Sequence, residues 1–97
     1  MKYEIFLGPE AIQDFKRLSA RNRATVRDTI EKHLRFEPNR ISKRRIKRLR
    51  GMRRPQYRLR VGDIRVFYDI VEDMVEILAV VEKSDATDWL AEIGEVE

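Results

Sequence analysis

No cysteine occurs in the sequence. That excludes a disulfide framework, a thiolate metal site and a cysteine nucleophile, and with an N-terminus lacking a signal-like pattern it points to a reducing, cytoplasmic setting. Histidine occurs once, at position 33, so a ribonuclease mechanism built on two histidines is excluded. His33 lies beside the apolar stripe of a predicted helix and reads as a partly buried structural residue. There is no glycine-rich phosphate loop and no acidic triad in a glycine-bounded loop, and neither a metal nor a small-molecule cofactor is expected. The longest aliphatic run, Ile77 to Val81, is about a quarter of what a membrane span needs, so no membrane partner is expected. Repeats, low-complexity tracts and linkers are missing, and 97 residues read as one domain, 1–97, too short for a second core.

What the chain has in abundance is charge, unevenly placed. Residues 1–39 carry eight bases against six acids, 40–65 carry twelve against one, and 66–97 carry one against ten. The net charge of +4 hides this segregation. A basic band of that density attracts phosphate polymers, whereas the acidic last third limits how much of the surface can bind them. Apolar residues at 42% still supply enough hydrophobic material for a chain that folds alone.

Hydrophobic spacing gives the element order. Tyr3, Ile5 and Leu7 alternate as in a strand, which Gly8 and Pro9 end. Ile12, Phe15 and Leu18 predict an amphipathic helix from Pro9 to about Ala20. Asn22 is the expected cap of a second helix, where Val26, Ile30 and Leu34 recur at spacing four until Pro38. Asn39 to Pro55 is expected to be a largely extended connector with room for one helical turn around Lys43 to Lys47. QYRLRV and IRVFYDI then alternate about Gly62-Asp63, a pair suited to a type II′ hairpin turn. Val75 to Val81 adds a third strand after a turn at Glu72 to Met74, and Ser84 or Asp85 caps a short helix bearing Trp89, Leu90 and Ile93. The fold class is α+β: an N-terminal strand, a helical hairpin, a three-stranded antiparallel meander and a short C-terminal helix, with helices on one side of the sheet.

The hairpin carries the chemistry. With Gly62 and Asp63 in the turn, Arg60 lies opposite Arg65 and Arg58 opposite Phe67, while Tyr57, Leu59, Val61, Ile64, Val66, Tyr68 and Ile70 form an apolar face. Like charges directly across a strand pair oppose folding unless an anion sits between them. One alternative is that Glu76, Glu82 or Asp85 folds over the arginines. The other is a nucleic-acid groove, favoured by the eight bases between Lys43 and Arg54 and by the bidentate match of guanidinium to phosphate. Candidate RNA- or ribosome-binding residues are Lys43, Arg44, Arg45, Lys47, Arg48, Arg50, Arg53 and Arg54. Phe67 and Trp89 are candidates for stacking on a base, with packing as the other reading of both.

KRLRGMRRPQYRLRVGDIRVFYDI resembles the signature region of RelE/ParE-type toxins of bacterial and archaeal toxin-antitoxin pairs, through Leu49, Gly51, Tyr57, Arg58, Leu59, Arg60, Val61, Gly62, Arg65 and Tyr68. The resemblance implies a RelE-like microbial ribonuclease fold. Its RelE branch implies ribosome-dependent cleavage of messenger RNA by metal-free attack of the ribose 2′-hydroxyl on the adjacent phosphate. Arg58 and Arg60 then stand where that branch commonly has lysines, Arg65 stands on an arginine that stabilises the phosphorane, and Lys83 stands in for a basic residue after the last strand. The tyrosine that often follows is absent. Arginine is a poor base, so proton transfer has no evident agent. The ParE branch implies instead a non-nuclease that poisons DNA gyrase, and a non-toxic basic RNA-binding module is a third reading. Implied partners are the ribosome, mRNA and a cognate antitoxin that lays acidic residues over the arginines.

Overall fold

Proline at the first helical position starts a helix directly after β1 (Glu4–Leu7). The computed structural model describes residues 1–97, with α1 at Pro9–Arg17 and α2 at Ala20–Leu34. α1 ends before the expected Ala20 because Leu18 and Ser19 are extended, and the Ser19 hydroxyl, not Asn22, caps α2 by accepting the Asn22 N–H at 3.1 Å. Arg23 reaches back to donate to the Phe15 and Leu18 carbonyls at 3.1 and 2.9 Å. The Leu18 carbonyl is thereby satisfied, and the Phe15 carbonyl, which already accepts the Leu18 N–H, gains a second donor, which fixes the helix pair as a tight hairpin. No helix is long and apolar enough to cross a membrane.

The expected meander forms from β4 (Tyr57–Val61), β5 (Ile64–Val71) and β6 (Met74–Glu82), with a two-residue turn at Glu72–Asp73 joining the last two. β1 adds parallel to β6. The connector departs from expectation: Lys43–Arg45 is a bend rather than a helical turn, and β2 (Ile46–Arg48) pairs antiparallel with β4, making a five-stranded sheet of order β1-β6-β5-β4-β2. Ile46 is the cause, since its side chain is 2% exposed in the core. The Ser42 hydroxyl accepts the Arg45 and Ile46 N–H groups and holds the bend that delivers it. Farther on, β3 (Met52–Arg54) pairs with the terminal β7 (Glu95–Val96). Between them in sequence, a 3-10 turn at Lys83–Asp85 leads into α3 (Ala86–Ile93); Asp85 stands at its N-cap position without a side-chain cap bond.

One core lies between the helix pair and the sheet, built from Ala11, Val26, Ile30 and Leu34 of the helices against Leu59, Val66, Tyr68 and Ile77 of the strands. A register shift opposite Phe67 and Tyr68 keeps Ile77 and Val80 on the same core face although their numbers differ by three. The Val80 N–H then points to α1, where buried Asp14 accepts it at 2.8 Å. Burial pushes the Asp14 carboxyl above the ordinary aspartate value, against the pull of that bond and of Arg17.

Asp14→Ala leaves the Val80 N–H unpaired and should cost about 1 to 3 kcal/mol in urea unfolding. Asp14→Asn keeps an acceptor and should recover most of it. Because the carboxyl's folded pKa is raised, its protonated form carries no penalty below about pH 3.8, and wild-type stability is lost as pH rises through the higher folded value. The Asn variant should therefore gain on the wild type over that rise; a widening deficit would contradict the assignment.

Candidate anion-binding face

The β4–β5 pairing has the expected register: Val61 opposite Ile64, Arg60 opposite Arg65, Leu59 opposite Val66 and Arg58 opposite Phe67. Gly62 has φ +57° while Asp63 has none of the left-handed character, as a type II′ turn requires. β2 adds a cation to the same face, because Lys47 lies directly across from Arg58. Two rows therefore run across the sheet, one through Lys47, Arg58 and Phe67 and the next through Arg60 and Arg65.

Arg65 is 7% exposed, and its terminal nitrogen donates to the Gly62 and Ile64 carbonyls at 2.8 and 3.1 Å, tying the side chain to the hairpin turn. Arg58 is half-buried and its Nε is buried with no hydrogen-bond partner. Burial, followed by the charges of Arg65 and Arg60, lowers the Arg58 pKa; burial and Arg60 do the same to Arg65. None of the chain's ion pairs involves Arg58, Arg60 or Arg65. Acids do not fold over this face: Glu76 pairs with Arg54 at 3.3 Å, and Glu82 and Asp85 pair with no base. Clustered cations with an orphaned donor are a poor resting state and a good cradle for an anion of two or more charges.

The aromatic expectation changes. Phe67 is 1% exposed and stacks on Trp89 of α3 with ring centroids 4.9 Å apart and planes 4° off parallel, so it has no surface to offer a base. The Trp89 indole N–H donates to Glu10 at 3.2 Å. Both aromatics thus serve packing, and α3 walls one side of the arginine rows, so the helices do not all lie on one side of the sheet as expected. Neither core-facing tyrosine can act here: Tyr68 is buried, donates its hydroxyl to the Pro38 carbonyl at 2.6 Å and has its pKa raised by burial, while Tyr57 stacks on it at 5.4 Å.

The remaining bases divide into two groups. Arg48 lies over the Tyr57 ring and donates to the Leu49 and Gln56 carbonyls; Arg53 pairs with Glu95; Arg54 pairs with Glu76 and the buried Asp69. These three brace the fold. Lys43, Arg44, Arg45, Lys47 and Arg50 are exposed without carboxylate partners, although Arg45 donates to the Arg60 carbonyl at 3.0 Å. Lys83 comes beside the hairpin turn, its backbone N–H donating to the Asp63 carbonyl at 2.7 Å. Two structural residues escaped the sequence reading: Gln56, whose N–H goes to Asp69 and whose side-chain oxygen accepts the Ile70 N–H, and Asp69 itself. Alternation places Asp69 on the arginine side, and that was the available signal.

The site thus sits on a small α+β sheet with a helix pair on one face and arginines without ion-pair partners on the other. The chain belongs to the ParE toxin family of type II toxin-antitoxin systems, whose model matches residues 5–87. In structure it is similar to a chain of the RelBE2 toxin-antitoxin complex of Mycobacterium tuberculosis, with 27% identity over 84% of this chain and 99% of that one and a TM-score of 0.69. An arginine double mutant of the Escherichia coli toxin RelE in the free state shares the fold at 23% identity, covering 95% and 94% of the two chains, also with a TM-score of 0.69. So does a chain of the RelE-RelB complex of Pyrococcus horikoshii, at 24% identity, 86% and 97% coverage and a TM-score of 0.64. No curated protein matches the sequence significantly.

Pyrophosphate should raise the wild-type melting temperature; Arg60→Ala relieves the cross-strand repulsion and should raise stability by about 0.2 to 1 kcal/mol while shrinking that rise. Loss of both stability and the pyrophosphate effect would mean that Arg60 supports the fold instead.

Proposed function

We propose that the protein is a ribosome-dependent endoribonuclease toxin that grips the scissile phosphate of mRNA on Arg58, Arg60 and Arg65. The observation that carries this reading is the orphaned, half-buried guanidinium of Arg58 beside two further arginines, none of the three ion-paired to a carboxylate. In the reaction the ribose 2′-oxygen bonds to phosphorus as the bond to the 5′-oxygen of the next nucleotide breaks, leaving a cyclic 2′,3′-phosphate and a 5′-hydroxyl. Charge builds on the non-bridging oxygens, where fixed guanidinium groups stabilise the transition state more than the ground state. Arginine stays protonated near neutrality, so these side chains supply charge and position rather than a base. The 2′-proton leaves to solvent or ribosome, the departing 5′-oxygen takes up a proton from the same surroundings, and alignment of the message supplies much of the rate. Lys83, by the turn, extends the grip, and Lys43, Arg44, Arg45, Lys47 and Arg50 bind RNA beyond the scissile phosphate. A cognate antitoxin is the expected inhibitor, covering the arginines with acidic residues.

The lack of a proton acceptor paired with Arg58, Arg60 or Arg65, and the ParE description of the matching family, favour one other reading: a toxin that poisons DNA gyrase through protein contacts.

Primer extension on a message stalled in purified ribosomes separates the two. New 5′ ends in the A-site codon should appear only with ribosomes and fall about a hundredfold or more with Arg60→Ala. Arg65→Lys should retain the fold but lose part of the rate, since a lysine cannot both tie the turn and face the phosphate. Uncut message together with inhibited gyrase supercoiling would establish the second reading.

A further inference from the structure

A second basic concavity lies around the sheet edge from the arginine rows. Between the end of α2 and the loop entering β2 is an open cleft of about 550 Å³ lined by Lys32, His33, Arg40, Lys43, Arg44 and Arg45. Ile46 is its one apolar lining residue, and its one acid, Glu37, is held by Arg40 at 3.4 Å. Lys32, Lys43 and Arg44 pair with no carboxylate. An adjoining open cavity of about 380 Å³ is lined only by Arg44, Arg45, Arg60 and Gly62. The two share Arg44 and Arg45, and the second ends on Arg60, so positive surface runs unbroken from α2 to the catalytic candidates.

The loop that joins them is pinned. Arg45 and Arg60 exchange backbone and side-chain bonds, with the Arg60 N–H on the Arg45 carbonyl at 2.8 Å and the Arg45 guanidinium on the Arg60 carbonyl at 3.0 Å. Ser42 closes the bend by donating its own N–H to the Ile46 carbonyl at 2.9 Å. A cationic surface held in place in this way loses little conformational freedom on binding.

We infer that this cleft is a second phosphate site, occupied by the sugar-phosphate backbone of a single-stranded nucleic acid that continues past Arg60 from the arginine face. The inference rests on the phosphate-gripping reading of that face. A peptide ligand would need apolar anchors, and the track offers almost none, whereas a polyphosphate chain needs only cations at intervals. His33 makes a built-in reporter because it is the chain's only histidine. Burial, Arg45 and Lys32 hold its pKa below the ordinary value, and a phosphate in the cleft raises it; Glu37, Arg40, Lys43 and Arg44 are the other charged groups that face the cleft.

The test uses an all-deoxy oligomer of about ten nucleotides, long enough for both sites and lacking the 2′-hydroxyl, so that binding is read without cleavage. A Lys32→Ala/Lys43→Ala/Arg44→Ala variant, altered only at exposed unpaired residues, should melt as the wild type does. It should bind the oligomer at least about tenfold more weakly, with a log-log salt slope shallower by about 2, as loss of three single-strand phosphate contacts predicts. In the wild type the oligomer should raise the His33 pKa in an NMR titration. If binding depends on Arg60 yet the triple variant binds normally and His33 does not move, the cleft site is overturned while the function of the arginine face stands. If the triple variant loses binding and Arg60→Ala changes neither binding nor cleavage, the arginine reading fails and the continuous track with it. Polyglutamate that displaces the oligomer at equal charge and raises the His33 pKa equally would assign the cleft to an acidic protein and overturn the nucleic-acid assignment.

Discussion

The register of the β4–β5 hairpin is the constraint on which the rest depends. Alternation along Tyr57–Val61 and Ile64–Val71 puts Leu59, Val66 and Tyr68 in the core and Arg58, Arg60 and Arg65 on the opposite face. A slip of one residue would bury three guanidinium groups beneath α2, so the hydrophobic core enforces the arginine cluster rather than merely tolerating it. Gly62 makes the two-residue turn possible, and the Arg65 side chain then closes onto that turn's carbonyls. The same guanidinium thus stabilises the hairpin through hydrogen bonds and strains it through its neighbour Arg60. An anion that relieves the repulsion leaves the hydrogen bonds intact.

Segments with visible periodicity, the short β1 included, were legible from the sequence, and β2, β3 and β7 were not. The two helices, the three-stranded meander and the register of the hairpin follow from spacing over five or more residues. β2 is three residues long and holds a single apolar side chain among bases, so no period is visible in it; only the core vacancy that Ile46 fills explains it. β3 and β7 are shorter or as short, and each exists through the other. Ser19 displaced Asn22 as a cap because α1 stopped sooner than its apolar spacing suggested, a choice made by Arg23 from the next helix.

The candidate site was legible in composition and less so in detail. Arg58, Arg60 and Arg65 were readable as one face because alternation is local. The division of the other bases was hidden, since the partners of Arg53 and Arg54 lie at Glu95, Asp69 and Glu76, well along the chain. Phe67 looked free because alternation says which face a residue takes and nothing of what covers that face. Charge segregation thus resolves into two uses: the acidic last third braces the β3 end of the basic band, and the uncovered remainder stays available to a polyanion.

The stacked pair of Phe67 and Trp89 makes the protein its own optical probe. With a single indole in the chain, held flat against a buried ring and hydrogen-bonded to Glu10, indole emission excited apart from the three tyrosines comes from one place, the seam between α3 and the sheet. A partner that lifts α3 exposes that ring to water and moves its emission to the red, whereas one that seats beside it leaves the colour unchanged. Any ligand of the arginine face can therefore be sorted, without a label, into those that open this seam and those that work with it closed.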